Sequence, residues 1–380
     1  NDLPELTRQM ALGLGDTLLV ASSTPGGYTF AQHTTNTTTM GLIAQGGHDH
    51  VVLQEQSQLP SFPPSQVATQ SAPYAQALVD SIRVHSPCAD PVFFMTWGRE
   101  NGDAQNCPNW PPVCTYAGMQ EQLRQSYLLF AQDNAAWCAP IGVAWRTVRD
   151  QAPAIPLYVA DGSHPSAAGS YLAASVLYCT LFRKPCTTSP FLGGLDPATA
   201  GTLRSIASAV VLDSLVTWNI GVNDPVALPM HSDLGGGQVL FGQNSIGAST
   251  HSWDLGDGTT TTDAAFTHTY TLDGPYTVTY VATDGCGRSD TTSFTVNIVV
   301  SGIDGPTGTA LQVYRTADGI GFRSGEAGLL ELFEAQGRVV ARRDMLPGRS
   351  LEVPVERASL LLWRFTTSSG VSGMGRMTFP

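Results

Sequence analysis

From residue 1 to about 220 the apolar pattern of the chain switches back and forth between a helical and a strand period, and this alternation restricts the fold more than any other feature. A chain that returns to one sheet through intervening helices pairs its strands in parallel and covers the sheet with those helices. Residues 3–12 read as a helix, with Asn1 or Asp2 as cap, Pro4 in the first turn and Gly13 just past the end. Strand-like runs follow at 17–21, 50–54, 91–97 and 155–160, with a short strand and a helix within 139–150. Helical patterns lie at 38–45, 65–85, 116–134, 165–182 and 197–217. The expected fold class is therefore α/β, a doubly wound and mainly parallel sheet over residues 1–221.

The pattern then changes. Residues 222–301 lose helical periodicity and gain Thr/Val alternation between turn residues, which predicts a β-sandwich. The strings Trp253-Asp-Leu-Gly-Asp-Gly258, Phe266-Thr-His-Thr-Tyr270 and Gly274-Pro-Tyr-Thr-Val-Thr-Tyr280 occur in that order. This order resembles the PKD domain family, with Tyr280 in place of the usual Leu. Asp254, Asp257 and Asp284 suit either calcium or, more commonly, turn capping. Residues 308–380 continue as strands at 310–315, 329–334, 338–342, 360–366 and 374–379, a second C-terminal β-sandwich domain. The string Phe333-Glu-Ala-Gln-Gly337-Arg338-Val-Val and the closing strand resemble C-terminal sorting domains of type IX secretion in Bacteroidota. The resemblance implies an address module, cleaved off or used for cell-surface attachment, that adds no chemistry.

Composition narrows the partners. Net charge is −12, from 31 acidic against 19 basic residues without a Lys/Arg cluster, which argues against nucleic acid. No apolar run reaches membrane-spanning length, so no membrane span is expected. Charged residues are only 13%, replaced by Thr, Ser, Gly, Asn and Gln, a balance common in secreted bacterial proteins. Seven cysteines fit an oxidising, secreted or cell-surface location. Cys107 with Cys114, Cys179 with Cys186, and Cys88 with Cys138 are the candidate bridges, which leaves Cys286 over. No Cys or His pair has convincing metal-ligand spacing, so no metal is expected. The chain opens at Asn1 without an initiator Met or signal peptide, as processing or trimming would leave it.

The chemistry points to Asp161-Gly-Ser-His164-Pro165, where a strand pattern hands over to a helix pattern. An aspartate three residues ahead of a histidine can accept its Nδ1 proton and leave Nε2 free as a base. The competing reading is a helix N-cap beside a loop histidine. Three other strand ends carry suggestive residues: Pro25-Gly26-Gly27-Tyr28, Gln54-Glu55-Gln56-Ser57 and Trp97-Gly98-Arg99. All fall on the side where open α/β sheets bind ligands.

Together these blocks resemble the SGNH (GDSL-like) hydrolase family, in a secreted Bacteroidota branch with L-Q-E-Q-S replacing the usual G-x-N-D. The resemblance implies a flavodoxin-like sheet, with Asp161 orienting His164 as general base and no cofactor. It implies an oxyanion hole from Gly26 or Gly27 and from Gln54 or Gln56. The family's serine block follows a first, central strand, and no G-D-S or G-N-S string precedes a helix here. The first strand and its serine are therefore expected upstream of Asn1, with Ser57 and Ser163 as supporting hydroxyls, and this chain alone is expected to be inactive. Tyr28, Ser57, Trp97, Arg99 and Trp110 are the candidate substrate contacts; the loop 98–115 carries aromatics suited to sugar faces. The leading expectation is a secreted serine esterase acting on an ester substrate, an acylated carbohydrate. The alternative is a non-catalytic cell-surface carbohydrate-binding or adhesion protein with a vestigial cleft.

Overall fold

The computed structural model describes residues 2–300, 311–315, 319–334, 339–354, 360–367, 370 and 372–378. They belong to two compact units, Asn1–Asp224 and Pro225–Pro380.

The first unit is α/β. Its elements are α1 (Leu3–Gly13), α2 (Phe30–His33), α3 (Thr37–Gln45), β1 (His50–Leu53), α4 (Pro64–Gln70), α5 (Ala72–His85) and β2 (Asp90–Phe94). Then come α6 (Tyr116–Asp133), β3 (Trp137–Ala139), α7 (Ile141–Gln151), α8 (Ala167–Phe182) and α9 (Pro197–Leu212). Helices α1, α2, α3, α6, α8 and α9 begin where short polar side chains take up orphan amide protons. Asp2, Asn36, Thr115, Ser166 and Asp196 all cap in this way, and Thr29 and Gln32 form a reciprocal capping box on α2.

The strands pair in parallel in the order β1-β2-β3, with Val52 opposite Val92 and Phe93 opposite both Leu53 and Cys138. All of β2 is buried, in keeping with its apolar run from Pro91 to Phe94. Helix α8 is buried all round and packs against α1, α7 and α9; its small residues allow close approach. Gly169 shows why: a Cβ there would lie 2.4 Å from both the Leu157 carbonyl oxygen and the Trp145 ring.

Several expectations are corrected. Residues 17–21 form no strand and pair with nothing among the described residues, and Leu19 is 92% exposed. Residues 155–160 contribute one bridge, Tyr158 to Pro165, instead of a strand. The helix expected over 65–85 is broken at Ser71 into α4 and α5. The three strands run in sequence order, so the reversal of a doubly wound sheet is not formed among the described residues. Of the candidate disulfides, Cys107–Cys114 is formed. Cys138, Cys179 and Cys186 are buried free thiols, so the other two expected bridges are not formed. Cys286 is exposed, and neither it nor Cys88 is a free thiol.

The second unit is all β, with two separate cores. Around Trp253, Phe241 and Tyr280 lie β4 (Pro229–Gly235), β5 (Gln238–Gln243), β6 (Thr250–Asp254), β7 (Thr260–Thr261), β8 (Phe266–Thr269), β9 (Gly274–Thr283) and β10 (Ser289–Ile298). They form antiparallel sheets ordered β10-β9-β6-β7 and β4-β5-β8. Asp254, Asp257 and Asp284 accept amide protons from Gly256, Thr259 and Cys286, so all three cap turns. Around Phe322, Leu332 and Phe365 lie β11 (Gln312–Arg315), β12 (Gly319–Arg323), β13 (Gly328–Glu334), β14 (Val339–Met345), β15 (Ser350–Pro354), β16 (Leu360–Thr367) and β17 (Ser372–Thr378). Their sheets are ordered β11-β12-β15 and β14-β13-β16-β17. Ala310, Arg338 and Phe379, at the ends of expected strands, and positions 335–338 of the sorting-type string lie outside the described residues.

Candidate active site

Between α7 and α8 the chain makes a tight turn around Asp161. The bridge from Tyr158 to Pro165 closes it, and the Val159 amide donates to the His164 carbonyl at 3.0 Å. Gly162, at φ +64°, supplies the left-handed residue that the reversal requires. Asp161 then uses both carboxylate oxygens. Oδ1 accepts the amide protons of Ser163 (2.8 Å) and His164 (2.9 Å), while Oδ2 lies 2.6 Å from His164 Nδ1. The histidine contact and then the two amides hold the Asp161 carboxyl down at about 2, so it is ionised at neutral pH. That fixes the proton of the neutral imidazole on Nδ1 and leaves Nε2 as the basic nitrogen. Nε2 has no hydrogen-bond partner among the described residues, and the His164 side chain is 79% exposed.

The turn is held by the loop that follows β2. Trp97 Nε1 donates to the Ser163 carbonyl at 3.0 Å, and the Glu100 amide donates to the Gly162 carbonyl at 2.8 Å. Tyr158 donates its hydroxyl to the Gly98 carbonyl at 2.6 Å, and the Gly98 amide donates to Gln120 Oε1 at 2.9 Å. Trp97 stacks on the buried Trp145 at 4.1 Å with an interplanar angle of 4°. One face of Trp97 and its N–H are therefore already occupied in supporting the turn, so as a substrate contact it offers less surface than expected. The Trp110 N–H is likewise taken, by the Ser61 carbonyl at 3.0 Å.

The same loop is anchored to the residues after β1 through Asp103, which the sequence reading missed. Its buried carboxylate accepts from Gln58 Nε2 (2.8 Å), Asn106 Nδ2 (2.7 Å) and Arg99 Nη1 (3.1 Å). Burial alone would raise its pKa, but the Asn106 and Gln58 donors and the Arg99 charge outweigh burial and leave the group below its usual range. Arg99 thus spends one guanidinium nitrogen on Asp103. The spacing Gln58…Asp103…Asn106 carries no motif, which is why only the folded chain reveals it.

Of the two candidate glutamines, Gln56 turns its amide onto its own loop. Its Oε1 accepts from the Gln58 and Leu59 amides, and its Nε2 donates to Gln58 Oε1. Gln54 is exposed, and its side chain makes no hydrogen bond among the described residues. Gly26 and Gly27 lie in an open turn where a Cβ would meet nothing within 4 Å; Gly27 has φ +73°. Tyr28 closes that turn by donating its amide to the Pro25 carbonyl at 3.4 Å, and its ring meets His33 edge-on. Ser57 is half-buried, and its hydroxyl has no hydrogen-bond partner among the described residues. His50, at the opposite end of β1 from Gln54, packs against Trp137 away from these groups. The arrangement places an imidazole base, oriented by an ionised carboxylate, on a braced and accessible turn. Such a base can take a proton from a hydroxyl and return it to a leaving group.

A PKD domain family model matches residues 239–300. No curated protein matches the chain significantly. Among solved structures, a DUF4886 family protein from Bacteroides uniformis shares 17% identity over 54% of this chain and 88% of its own, with a TM-score of 0.46. An SGNH-hydrolase-like protein from Slackia heliotrinireducens shares 28% identity over 46% and 90%, with a TM-score of 0.37. The PKD1 domain of a Vibrio cholerae metalloprotease shares 35% identity over 20% and 96%, with a TM-score of 0.19.

Proposed function

We propose that the α/β unit is an SGNH-type ester hydrolase. The observation that carries the reading is the 2.6 Å contact of Asp161 Oδ2 with His164 Nδ1, with Nε2 left open to a reactant. In this mechanism His164 Nε2 takes the proton from a serine hydroxyl as its oxygen attacks the ester carbonyl. The negative charge that develops on the carbonyl oxygen is met by the Gly27 N–H and the Gln54 amide. The imidazolium then returns the proton to the departing alkoxide, and water cleaves the acyl-serine by the same route. Gln54 fits this role better than Gln56 because its amide is uncommitted.

The serine is assigned to a strand N-terminal to Asn1 that adds to the sheet beside β1. Support comes from exposed apolar side chains: Leu19 and Val20 on the unpaired segment 17–21, and Val52 on the outer strand. Parallel strands are ordinarily buried on both faces. With residues 17–21 pairing on the far side of that added strand, the order would become doubly wound and flavodoxin-like. The substrate we assign is an acylated carbohydrate met outside the cell, a setting that the disulfide and the PKD domain suit. Residues 308–380 are assigned as a sorting-type module for surface attachment.

The test is hydrolysis of p-nitrophenyl acetate by the protein extended upstream of Asn1 and by its His164→Ala variant. The extended protein should turn over and the variant should not, while the chain starting at Asn1 should be silent. Turnover by the shorter chain that is abolished in Ser57→Ala or Ser163→Ala would overturn the assignment of the nucleophile.

A further inference from the structure

The two segments assigned to stabilise negative charge come from different parts of the chain. Gly26 and Gly27 precede α2, whereas Gln54 follows β1. One side chain joins them. Glu55 is fully buried, and its Oε1 accepts the amide protons of both Phe30 (3.0 Å) and Gln56 (2.7 Å). Its Oε2 accepts the hydroxyl of Ser71 at 2.7 Å, at the break between α4 and α5. Phe30 is the first residue of α2, two positions after the turn that Tyr28 closes, and its buried ring packs against Phe93 and Phe130. No other hydrogen bond among the described residues links 22–33 to 54–58. A buried carboxyl is a costly way to fill space, since its pKa is pushed up by burial and is pulled back only by these donors.

We propose that Glu55 is a positioning residue whose shared Oε1 locks the Gly26–Gly27 turn to the strand end carrying Gln54, holding the two anion-stabilising donors at one spacing. Its role in catalysis rests on the hydrolase reading above; the geometric lock does not. The link survives titration. Oε1 can accept both amide protons in either charge state, and Oε2 can pair with Ser71 Oγ in either direction. A glutamine reproduces the pattern, with Oε1 accepting twice and Nε2 donating to Ser71 Oγ. Leucine fills the volume and accepts nothing.

The experiment is amide hydrogen exchange on the full chain, comparing Glu55→Gln and Glu55→Leu with the parent. The leucine variant should speed exchange over residues 28–33 and 54–59 by about tenfold or more, with α6 and α8 unchanged. The glutamine variant should stay within about threefold of the parent. Parental protection in Glu55→Leu, or equal loosening in both variants, would overturn the proposal. Should the leucine variant fail to fold, the parent still decides: a through-hydrogen-bond NMR coupling from the Phe30 amide nitrogen to Glu55 Cδ is expected, and its absence counts against the lock. In the upstream-extended protein, Glu55→Leu should lower kcat for p-nitrophenyl acetate about tenfold with KM nearly unchanged, and Glu55→Gln should restore it. No hydrolysis by the parent would sink the hydrolase reading, leaving the exchange pattern to judge the lock. Hydrolysis indifferent to Glu55→Leu would show that the lock does not serve the chemistry.

Discussion

Asp161→Asn isolates the orienting carboxylate while preserving its shape. In the parent, Oδ1 holds two backbone amides and Oδ2 faces His164 Nδ1. The asparagine oxygen can keep both amide contacts, so the turn should survive. The nitrogen then faces Nδ1 and can donate but not accept. The imidazole responds by moving its proton to Nε2, the nitrogen required as the base, and the base is lost without any loss of fold. The tautomeric penalty for such a replacement in a serine-histidine-aspartate site is roughly 10⁴-fold in kcat. Two assays read it. Nitrogen-15 NMR of His164 should show the Nδ1–H tautomer in the parent and the Nε2–H tautomer in Asp161→Asn, and this needs no nucleophile. Hydrolysis of p-nitrophenyl acetate by the upstream-extended protein should fall by the stated factor with KM little changed. Retention of Nδ1–H, or activity within about tenfold of the parent, would refute the reasoning. The pH dependence has a definite sign. The Asp161 pKa of about 2 lies below the unfolded value near 3.9, so its contribution is complete above that value and is lost as pH falls toward 2. Protection of the turn in the parent should decline across that acidic window, and Asp161→Asn should remove this dependence.

Three further outcomes follow from the supporting structure. Trp97→Phe retains most of the stack on Trp145 but removes the donor to the Ser163 carbonyl; thermal unfolding should report a loss of about 1 kcal/mol, with looser exchange at 161–164. Gly169→Ala places a methyl 2.4 Å from the Leu157 carbonyl oxygen and the Trp145 ring, and should cost about 1–3 kcal/mol in urea unfolding. Replacing both Cys107 and Cys114 by serine opens a short loop and should cost about 2 kcal/mol under non-reducing conditions, a difference that disappears when both proteins are reduced.

Much of this architecture was legible because its causes are local. The capped helix start at Asp2 depends on the next three residues, and the Asp161 turn closes within the string that announced it. The PKD strings place Trp253 in a core and aspartates at turns, both readable from residue type. What stayed hidden depends on distant partners. Residues 17–21 have the composition of a strand, yet a strand exists only against a neighbour, and none of the described residues supplies one. The break at Ser71 divides what looked like one helix, and its hydroxyl belongs to Glu55, sixteen positions earlier. Cysteine spacing could not distinguish the bonded pair 107 and 114 from 179 and 186, whose thiols instead lie near the Ser208 hydroxyl. Asp103 and Gln58 became visible only once the loops they join were folded.

The most direct test of the hydrolase account is active-site labelling of the upstream-extended protein with a fluorophosphonate, followed by peptide mass spectrometry. The account predicts one covalent adduct, on a serine N-terminal to Asn1, that disappears in His164→Ala. An adduct on Ser57 or Ser163, labelling indifferent to His164→Ala, or no labelling at all would contradict it.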